Sequence, residues 1–594
     1  NYLTIKLKGS GKNTFGHGAR VYLYSGNNLQ FMEMMPIHGY QSTVTNNLHF
    51  GLGPKEIIDS VRVEWLSGRI SRLNKIRTNQ LITITESGQA ASKASKSTVA
   101  TLFSEVETFV PYQHAEFGTN DFKRQTLLHY MPSSTGPVMA TADINGDKLQ
   151  DIFVGGAKEN PGKLFVQSAD GKFRPSPFFN YKEDFNCTDA DAVFFDADMD
   201  GDMDLYVASG GYGDYSRTDP ALQDRIYFNS GSGRFARRPD ALPPMPASTS
   251  CVEPADFDKD GDIDLFVGGR LIPGEYPKPQ KSFLLINDGK GKFINNLDAL
   301  IPELSGGGMV TDAVWTDLNK DAWPDLIICG EFMPLRVFIN DKGKKLTEAT
   351  KTYFQKPEGG LWNRIETADI DKDGDQDLIA GNWGTNSQFK ASPEKPMQMT
   401  FKDFDNNGSV DPVITFYNDG KSYPWPTRDE ITAQIPVLRR KFPDYKSYSE
   451  AQITDIFQEG DLKGATVLNV TELKTVIYRN DGNRFTKIQL PVEAQFAPVF
   501  AIETIDYDND GKMDLILGGN QNTTCVRLGV IDANYGQLFR GDGKGNFRYI
   551  QQSVSGLKLI GDVKSMKMIT VKNSRYILAG ISNTGIVTYK LLSK

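Results

Sequence analysis

The sequence predicts an all-β protein: a small β-sandwich followed by a β-propeller of seven blades, with eight as the alternative, interrupted by one helical insert. Three observations carry this. A nine-residue aspartate-rich loop recurs seven times between residues 143 and 514, and each copy is followed by an apolar strand, most of which end in Gly. The first 86 residues alternate apolar and polar positions in four short runs. The composition agrees, because 56 Gly, 23 Tyr and 35 Phe favour strands joined by many turns. At 594 residues the chain is too long for one core, so two or three domains are expected.

The runs YLTIKLK, ARVYLY, SVRVEW and QLITIT, separated by Gly- and Asn-rich turns, place a β-sandwich at residues 1–86. Residues 87–100, SGQAASKASKSTVA, are small, polar and aperiodic, the composition of a linker. The propeller is expected over 101–594. The chain starts at Asn1, directly inside an alternating strand, which is expected of a piece of a longer protein.

The loops are DINGDKLQD, DADMDGDMD, DFDKDGDID, DLNKDAWPD, DIDKDGDQD, DFDNNGSVD and DYDNDGKMD, and the strands after them read IFVGG, LYVASGG, LFVGG, LIICG, LIAG, PVITF and LILGG. The first five loop starts lie 52 to 61 residues apart, the length of one four-stranded blade with its connections. Two intervals break the rhythm: 34 residues separate Asp369 from Asp403, and 103 separate Asp403 from Asp506. The long interval contains a helical pattern at 423–457, where Thr427 and Glu430 have capping-box spacing and Ile431, Ile435, Leu438 and Phe442 form a stripe interrupted by Pro436. That insert is expected outside the blades, over one face of the disc. The C-terminal segment VKSMKMITVKNSRYILAGISNTGIVTYKLL resembles a last repeat without aspartates.

Positions 1, 3, 5 and 9 of each loop carry the side-chain oxygens. The candidate metal ligands are Asp143, Asn145, Asp147 and Asp151; Asp196, Asp198, Asp200 and Asp204; Asp256, Asp258, Asp260 and Asp264; Asp317, Asn319, Asp321 and Asp325; Asp369, Asp371, Asp373 and Asp377; Asp403, Asp405, Asn407 and Asp411; and Asp506, Asp508, Asp510 and Asp514. A hard cation such as calcium takes six or more oxygens, and alternate residues of a tight loop can turn theirs inward. Without a cation, carboxylates about 4 Å apart repel by several kcal/mol even at an effective dielectric of about 20. The rival reading of D-x-D-x-D-G, an EF-hand, needs a Glu at position 12. Here that position is Val154, Val207, Val267, Ile328, Ala380, Ile414 or Leu517, each inside a strand. The bland alternative is a set of turns in which Asp caps its own backbone. The loops at Asp196, Asp256, Asp369 and Asp506 are complete. Those at Asp143, with Lys148 at position 6, at Asp317, with Ala322 there, and at Asp403, with Asn407 at position 5, depart from the pattern.

With these loops and their φφφGG strands, residues 138–590 resemble the FG-GAP/VCBS repeat propellers. The resemblance implies calcium as a structural ion in the blade loops. Through GHGARVYLYSG, GYQSTVTNNLHFGLG, IIDSVRVEWLSGR and NQLITI, residues 1–86 look like an ASPIC/UnbV domain. The combination resembles the cartilage-acidic-protein-like family, which implies an extracellular, periplasmic or cell-surface location and often a further propeller before the ASPIC/UnbV domain.

The remaining features exclude more than they assign. The net charge of −8 sits in short loops, and no Lys/Arg cluster interleaves with aromatics, so nucleic acid is not an expected partner. No apolar run reaches about 18 residues, so no transmembrane segment is expected. The four cysteines, Cys187, Cys251, Cys329 and Cys525, show no CxxC spacing. The histidines, His17, His38, His49, His114 and His129, all precede the repeats, which leaves no His-based triad there. His49 reads as a packing or turn residue, and GSGKN at Gly9 lacks the remainder of a phosphate loop. The expected function is binding, without enzymatic activity, of a glycan or protein ligand, and Trp362, Trp383, Trp425, Tyr445 and Tyr448 near the insert suggest a binding face. The alternatives are a calcium-dependent polysaccharide lyase or other carbohydrate-active enzyme, using Lys, Arg or Tyr in the central funnel, and a purely structural assembly module.

Overall fold

The computed structural model describes residues 1–26, 28–88, 100–179 and 182–592, so most of the expected linker, residues 89–99, lies outside the described residues. The chain divides into two compact units, Asn1–Ala100 and Thr101–Lys594.

In the first unit the alternating runs become strands of two facing sheets. Tyr2–Lys8 lies between Asn47–Gly51, antiparallel, and Gln80–Thr85, parallel. The other sheet runs in the order Asn28–Glu33, Arg20–Ser25, Ile57–Glu64, Ile70–Arg77. Period-2 alternation sends Leu3, Ile5 and Leu7 from one sheet, and Val21, Leu23, Val61 and Val63 from the other, into one shared core. His49 is a packing residue, its ring stacked on Tyr2 at 5.2 Å and its Nδ1 2.9 Å from Thr4 Oγ1. In the GSGKN turn the Ser10 backbone N–H and hydroxyl both donate to Glu86 Oε2 at 2.6 Å.

Among its described residues, the second unit contains seven four-stranded antiparallel sheets of the repeat type, one of them carrying an extra short strand. Their innermost strands are Met139–Ala142, Thr188–Phe195, Thr249–Ala255, Met309–Thr316, Arg364–Ala368, Val499–Ile505 and Val563–Val571. Each contacts the next in this order, and the last contacts the first, which closes a ring. The second strand is buried along its length in most of these sheets, as in DLFVGG, because the neighbouring sheets cover both faces; in Ser574–Ile581 the first three residues are only half-buried. The glycines that end these strands have a steric cause. The inner strand bulges at that level, and a Cβ on Gly268 would lie 2.5 Å from Cys251 Sγ. Closure of the ring uses both ends of the unit, since Phe103–Val106 pairs antiparallel with Gly585–Leu591 as the fourth strand of the last sheet.

The irregular spacing has a definite origin. Strand Asp377–Gly381 pairs with Val476–Asn480 across the whole intervening segment. The chain between them builds an eighth four-stranded sheet, ordered Lys421–Pro424, Asp411–Asn418, Met397–Lys402, Thr466–Val470, and five short helices from Arg428 to Leu462. The insert is therefore larger than the helical 423–457 expected, and the Asp403 loop lies in it and not in one of the ring sheets. Thr427 and Glu430 do form a capping box on helix Arg428–Gln434, and Ile431, Ile435, Leu438 and Phe442 are buried together.

The insert packs on the ring through one apolar core that joins Met397, Met399, Phe401, Ile414 and Trp425 to Tyr130, Tyr212, Tyr276, Phe332 and Trp383. Gln125 ties the two layers, its Nε2 donating to Tyr276 O at 3.0 Å and to Val410 O at 2.9 Å. Here the binding-face reading of the aromatics needs correction. Trp362, Trp383, Trp425 and Tyr448 are buried core, and only Tyr445 is exposed. Trp383 packs on Tyr130 and Trp425 lies under Arg527, partners more than a hundred residues away that local sequence does not report.

Candidate metal centres

Each aspartate loop joins an inner strand to the second strand of its sheet, or two strands of the inserted sheet for the Asp403 loop. The loop conformation fixes the role of each position. In the Asp196 loop, the position-1 carboxylate accepts the N–H groups of Asp200 at 3.2 Å and Gly201 at 3.0 Å. Asp317, Asp403 and Asp506 repeat this pattern. Position 5 caps the N–H two residues on, as Asp200 Oδ1 does for Asp202 at 3.0 Å. Position 9 is buried and, except at Asp264, accepts two donors: Asp204 takes Ala197 at 2.9 Å and Asn229 at 2.7 Å, and Asp377 takes Ile370 at 3.0 Å and Asn480 at 2.8 Å. In the Asp403 loop the second donor is Gln434 Nε2 of the capped helix, 2.8 Å from Asp411.

Position 6 takes a left-handed backbone, with φ of +91° at Gly201, +101° at Gly261, +90° at Gly374 and +74° at Gly511. Ala322 and Lys148 adopt it too, each at +67°, with the Cβ strain that Gly avoids. We expect Ala322→Gly to stabilise the repeat unit by about 0.5–1 kcal/mol, read from urea unfolding, because the strain removed exceeds the added chain entropy. A variant that unfolds earlier would show that this loop is not strained at that position.

The loops are turns that cap themselves, but capping leaves oxygens over. Carboxylate oxygens of Asp196, Asp198 and Asp204 lie within 4.8 Å of one another, as do those of Asp369, Asp371 and Asp377, of Asp403, Asp405 and Asp411, and of Asp506, Asp508 and Asp514; in the fifth group they come from Asp256, Asp258 and Asp260. Asp198 Oδ1, Asp371 Oδ1 and Asp405 Oδ1, all at position 3, are buried without a hydrogen-bond partner, as are Asp256 Oδ1 and Asp264 Oδ2. Buried, unpaired carboxylate oxygens facing two more carboxylates are the donor set of a hard divalent cation. Burial, reinforced by the neighbouring aspartates, pushes Asp204 up to about 7, Asp264 to about 8 and Asp377 to about 6, against the pull of their N–H donors.

The loops are not equivalent. At Asp143 and Asp317 the position-3 residue is an amide whose oxygen is already used: Asn145 Oδ1 accepts from Asp147 N and Asn319 Oδ1 from Asp321 N, both at 3.0 Å. At Asp506, Arg540 Nη2 lies 2.8 Å from Asp508 Oδ2 and 3.1 Å from Asp510 Oδ2, so a protein cation already neutralises part of this loop. The Asp403 loop, despite Asn407, brings its three carboxylates together.

The sequence reading missed Asn229 and Asn340, which end third strands, and Asn287, which directly follows one. Besides donating its N–H to the position-9 carboxylate, each sends its side-chain amide to the position-2 carbonyl of the preceding loop: Asn229 to Ile144 at 2.7 Å, Asn287 to Ala197 at 2.8 Å and Asn340 to Phe257 at 2.8 Å. One residue thus links the aspartate loops of adjacent sheets. The signal was present as an apolar run ending in Asn before a Gly-rich turn, in RIYFNSGSG, FLLINDGKG and RVFINDKG.

An ASPIC and UnbV family model matches residues 9–91, and an FG-GAP-like repeat model matches 143–207, 208–267 and 317–380, ranges that include five of the seven loops. No curated protein matches the sequence. Solved structures similar to the chain include the Dos1 propeller, 10% identical over 79% of this chain and 97% of that one with a TM-score of 0.35. BBS1N in complex with ARL6DN is 11% identical over 84% and 98%, with a TM-score of 0.36. The V. cholerae biofilm matrix protein Bap1 is 9% identical over 81% and 91%, with a TM-score of 0.34. The chain thus joins an ASPIC and UnbV domain to a β-propeller of FG-GAP-like repeats.

Proposed function

We propose that the protein is a calcium-stabilised binding protein of the extracellular space, periplasm or cell surface, recognising a glycan or protein ligand and catalysing no reaction. The observation that carries the calcium reading is the set of buried, unpaired carboxylate oxygens at the centre of the loops. Oxygen-rich loops of this kind fill at the calcium levels found outside cells. The lyase alternative draws on Tyr, Arg and Lys in the central channel. Tyr130 there donates its hydroxyl to Glu331, and Arg270 is paired with the same carboxylate at 2.8 Å, so both groups are committed to each other.

Metal analysis of protein purified in calcium should find at least four ions per chain. Asp198→Ala and Asp371→Ala should each remove one ion and leave the rest, because the two loops lie in different sheets and share no ligand. Fewer than three ions per chain would return the loops to self-capped turns. A glycan array and a pull-down from the native envelope or matrix test the ligand class, and activity on acidic polysaccharides would reverse the non-enzymatic reading.

A further inference from the structure

The insert carries the run VLRRKFPDYKSY at 437–448, folded as two short helices, Leu438–Lys441 and Tyr445–Tyr448. Leu438, Phe442 and Tyr448 are buried in the insert's own core with Ile431 and Ile435. That leaves Val437 61% and Tyr445 66% exposed, with Arg439, Arg440, Lys441 and Lys446 exposed in the same run. These four basic side chains are accompanied by one acid of the run, Asp444, whereas residues 101–594 as a whole carry 69 acidic against 54 basic groups. The basic face therefore stands out from an acidic background.

The exposed ring of this run is held in place without being buried. Tyr445 donates its hydroxyl to Asp429 Oδ2 at 2.6 Å, and the Arg428 guanidinium lies 5.7 Å from the centre of its ring. Arg428 is itself fixed, donating to Phe442 O at 2.8 Å, Pro443 O at 3.0 Å and Asp429 Oδ1 at 2.8 Å. A ring oriented in advance loses little freedom on meeting a ligand. The acids here are committed, Asp429 to Tyr445 and Arg428, and Asp444 to the Ser447 N–H at 2.8 Å, where it caps the second helix. The cations are free. Among the described residues, the side chains of Arg439, Arg440 and Lys446 have no hydrogen-bond or ion-pair partner, and Lys441 alone of the four is used, donating to Ile456 O at 3.1 Å.

Unpaired cations in one run with a pre-oriented ring call for a ligand that combines anions with a flat apolar face. A bilayer does not fit, because the apolar sides of both helices are spent on the core and only Val437 is left to insert. The run does set basic residues among aromatics, contrary to the reading of the sequence, but with Phe442 and Tyr448 buried it offers one ring, short of the series on which the bases of a single strand stack. An acidic sugar chain needs no series: the C–H face of one pyranose covers one aromatic ring, and the neighbouring sugars carry the charges. We propose that this face of the insert binds an acidic polysaccharide, with a sugar ring stacked on Tyr445 and carboxylate or sulfate groups on Arg439, Arg440 and Lys446. This rests on the protein's being a ligand-binding one, and it narrows the ligand to a polyanionic glycan held by charge complementarity.

The test is a fluorescence-polarisation titration of a labelled heparin oligosaccharide with the calcium-saturated full chain. Binding is expected, and it should weaken as salt rises. Arg439→Ala combined with Arg440→Ala should lower affinity about tenfold and flatten the salt dependence, whereas Tyr445→Ala should lower it several-fold with the slope unchanged, the split that separates charge partners from a stacking ring. Lys290→Ala, at an exposed position on a ring sheet, should bind as the parent does. Lys446→Ala replaces the double variant, and Tyr445→Leu replaces Tyr445→Ala, where either melts below the parent. Absence of heparin binding, binding indifferent to these substitutions, or tighter binding of a poly(dT) strand or of phosphatidylglycerol vesicles than of heparin would each overturn the proposal. Neutral glycans separate it from the broader reading: a neutral glycan bound equally by parent and variants, with heparin ignored, removes this surface and keeps a glycan-binding protein, whereas silence on heparin, neutral glycans and pull-down alike removes both.

Discussion

Protein stripped of divalent ions on a chelating resin is expected to melt on the order of 10 °C below the calcium-loaded form, the shift falling on the repeat unit. Each filled site stabilises the folded state by about 2.7 kcal/mol when free calcium is a hundredfold above Kd, and sites in different sheets add. A large unit moves by a few degrees or less per kcal/mol, so several sites are needed for a shift of this size. The pH dependence gives a second readout. In the stripped protein the position-9 carboxyls are pushed up, Asp151 to about 6, Asp204 to about 7 and Asp264 to about 8, with burial as the first cause. A carboxyl raised in the folded state contributes stability that is full below its unfolded value near pH 4 and is lost as pH rises through its folded value. The stripped repeat unit should therefore be more stable at pH 5 than at pH 8. Calcium displaces those protons, so the loaded form should lose that slope. Scanning calorimetry at the two pH values, with and without calcium, decides: equal melting temperatures for both forms at pH 8 would remove calcium from the account.

What the sequence made legible was whatever local geometry enforces. The Asp196 loop reads as a loop because a side-chain acceptor at position 1, a left-handed residue at position 6 and a buried acceptor at position 9 are all required to fold nine residues onto themselves. The same locality misplaced the Asp403 loop. It folds in an inserted hairpin as it would in a ring sheet, because Gln434 supplies the N–H that a third strand supplies elsewhere. Trp383 and Trp425 were misread for the opposite reason. Their environment is made by Phe389, Tyr130 and Arg527, the last lying 3.6 Å over the Trp425 ring, and no window around either tryptophan contains all three. Glu253, Glu366 and Glu503 fall between these cases. VEPAD, IETAD and IETID recur in plain sight, but that their glutamates line one cavity is legible only once the ring brings the three strands together.

Replacement of Arg225 by Ala is expected to cost about 3–5 kcal/mol of stability at pH 8, the range for removing one partner from a buried ion group. Arg225 is 1% exposed and is the cation nearest two buried carboxylates, 2.5 Å from Asp189 and 3.5 Å from Asp184. Its removal strands Asp189, whose other oxygen has only the Gly156 N–H at 2.7 Å. Asp184 keeps the Tyr227 hydroxyl at 2.5 Å and Arg237 at 3.6 Å, so it suffers less. Burial already raises the Asp189 carboxyl against the pull of Arg225. Without that guanidinium the carboxyl rises further and takes up a proton as pH falls, so the deficit of Arg225→Ala should narrow between pH 8 and pH 5. Adding Asp189→Asn should recover part of the loss at pH 8, because a neutral amide of the same shape no longer needs a cation. Urea unfolding of parent, single and double variants at both pH values measures each term. A loss that is independent of pH and not relieved by Asp189→Asn would mean that Arg225 acts through packing of its aliphatic stem and not as the counter-charge of Asp189.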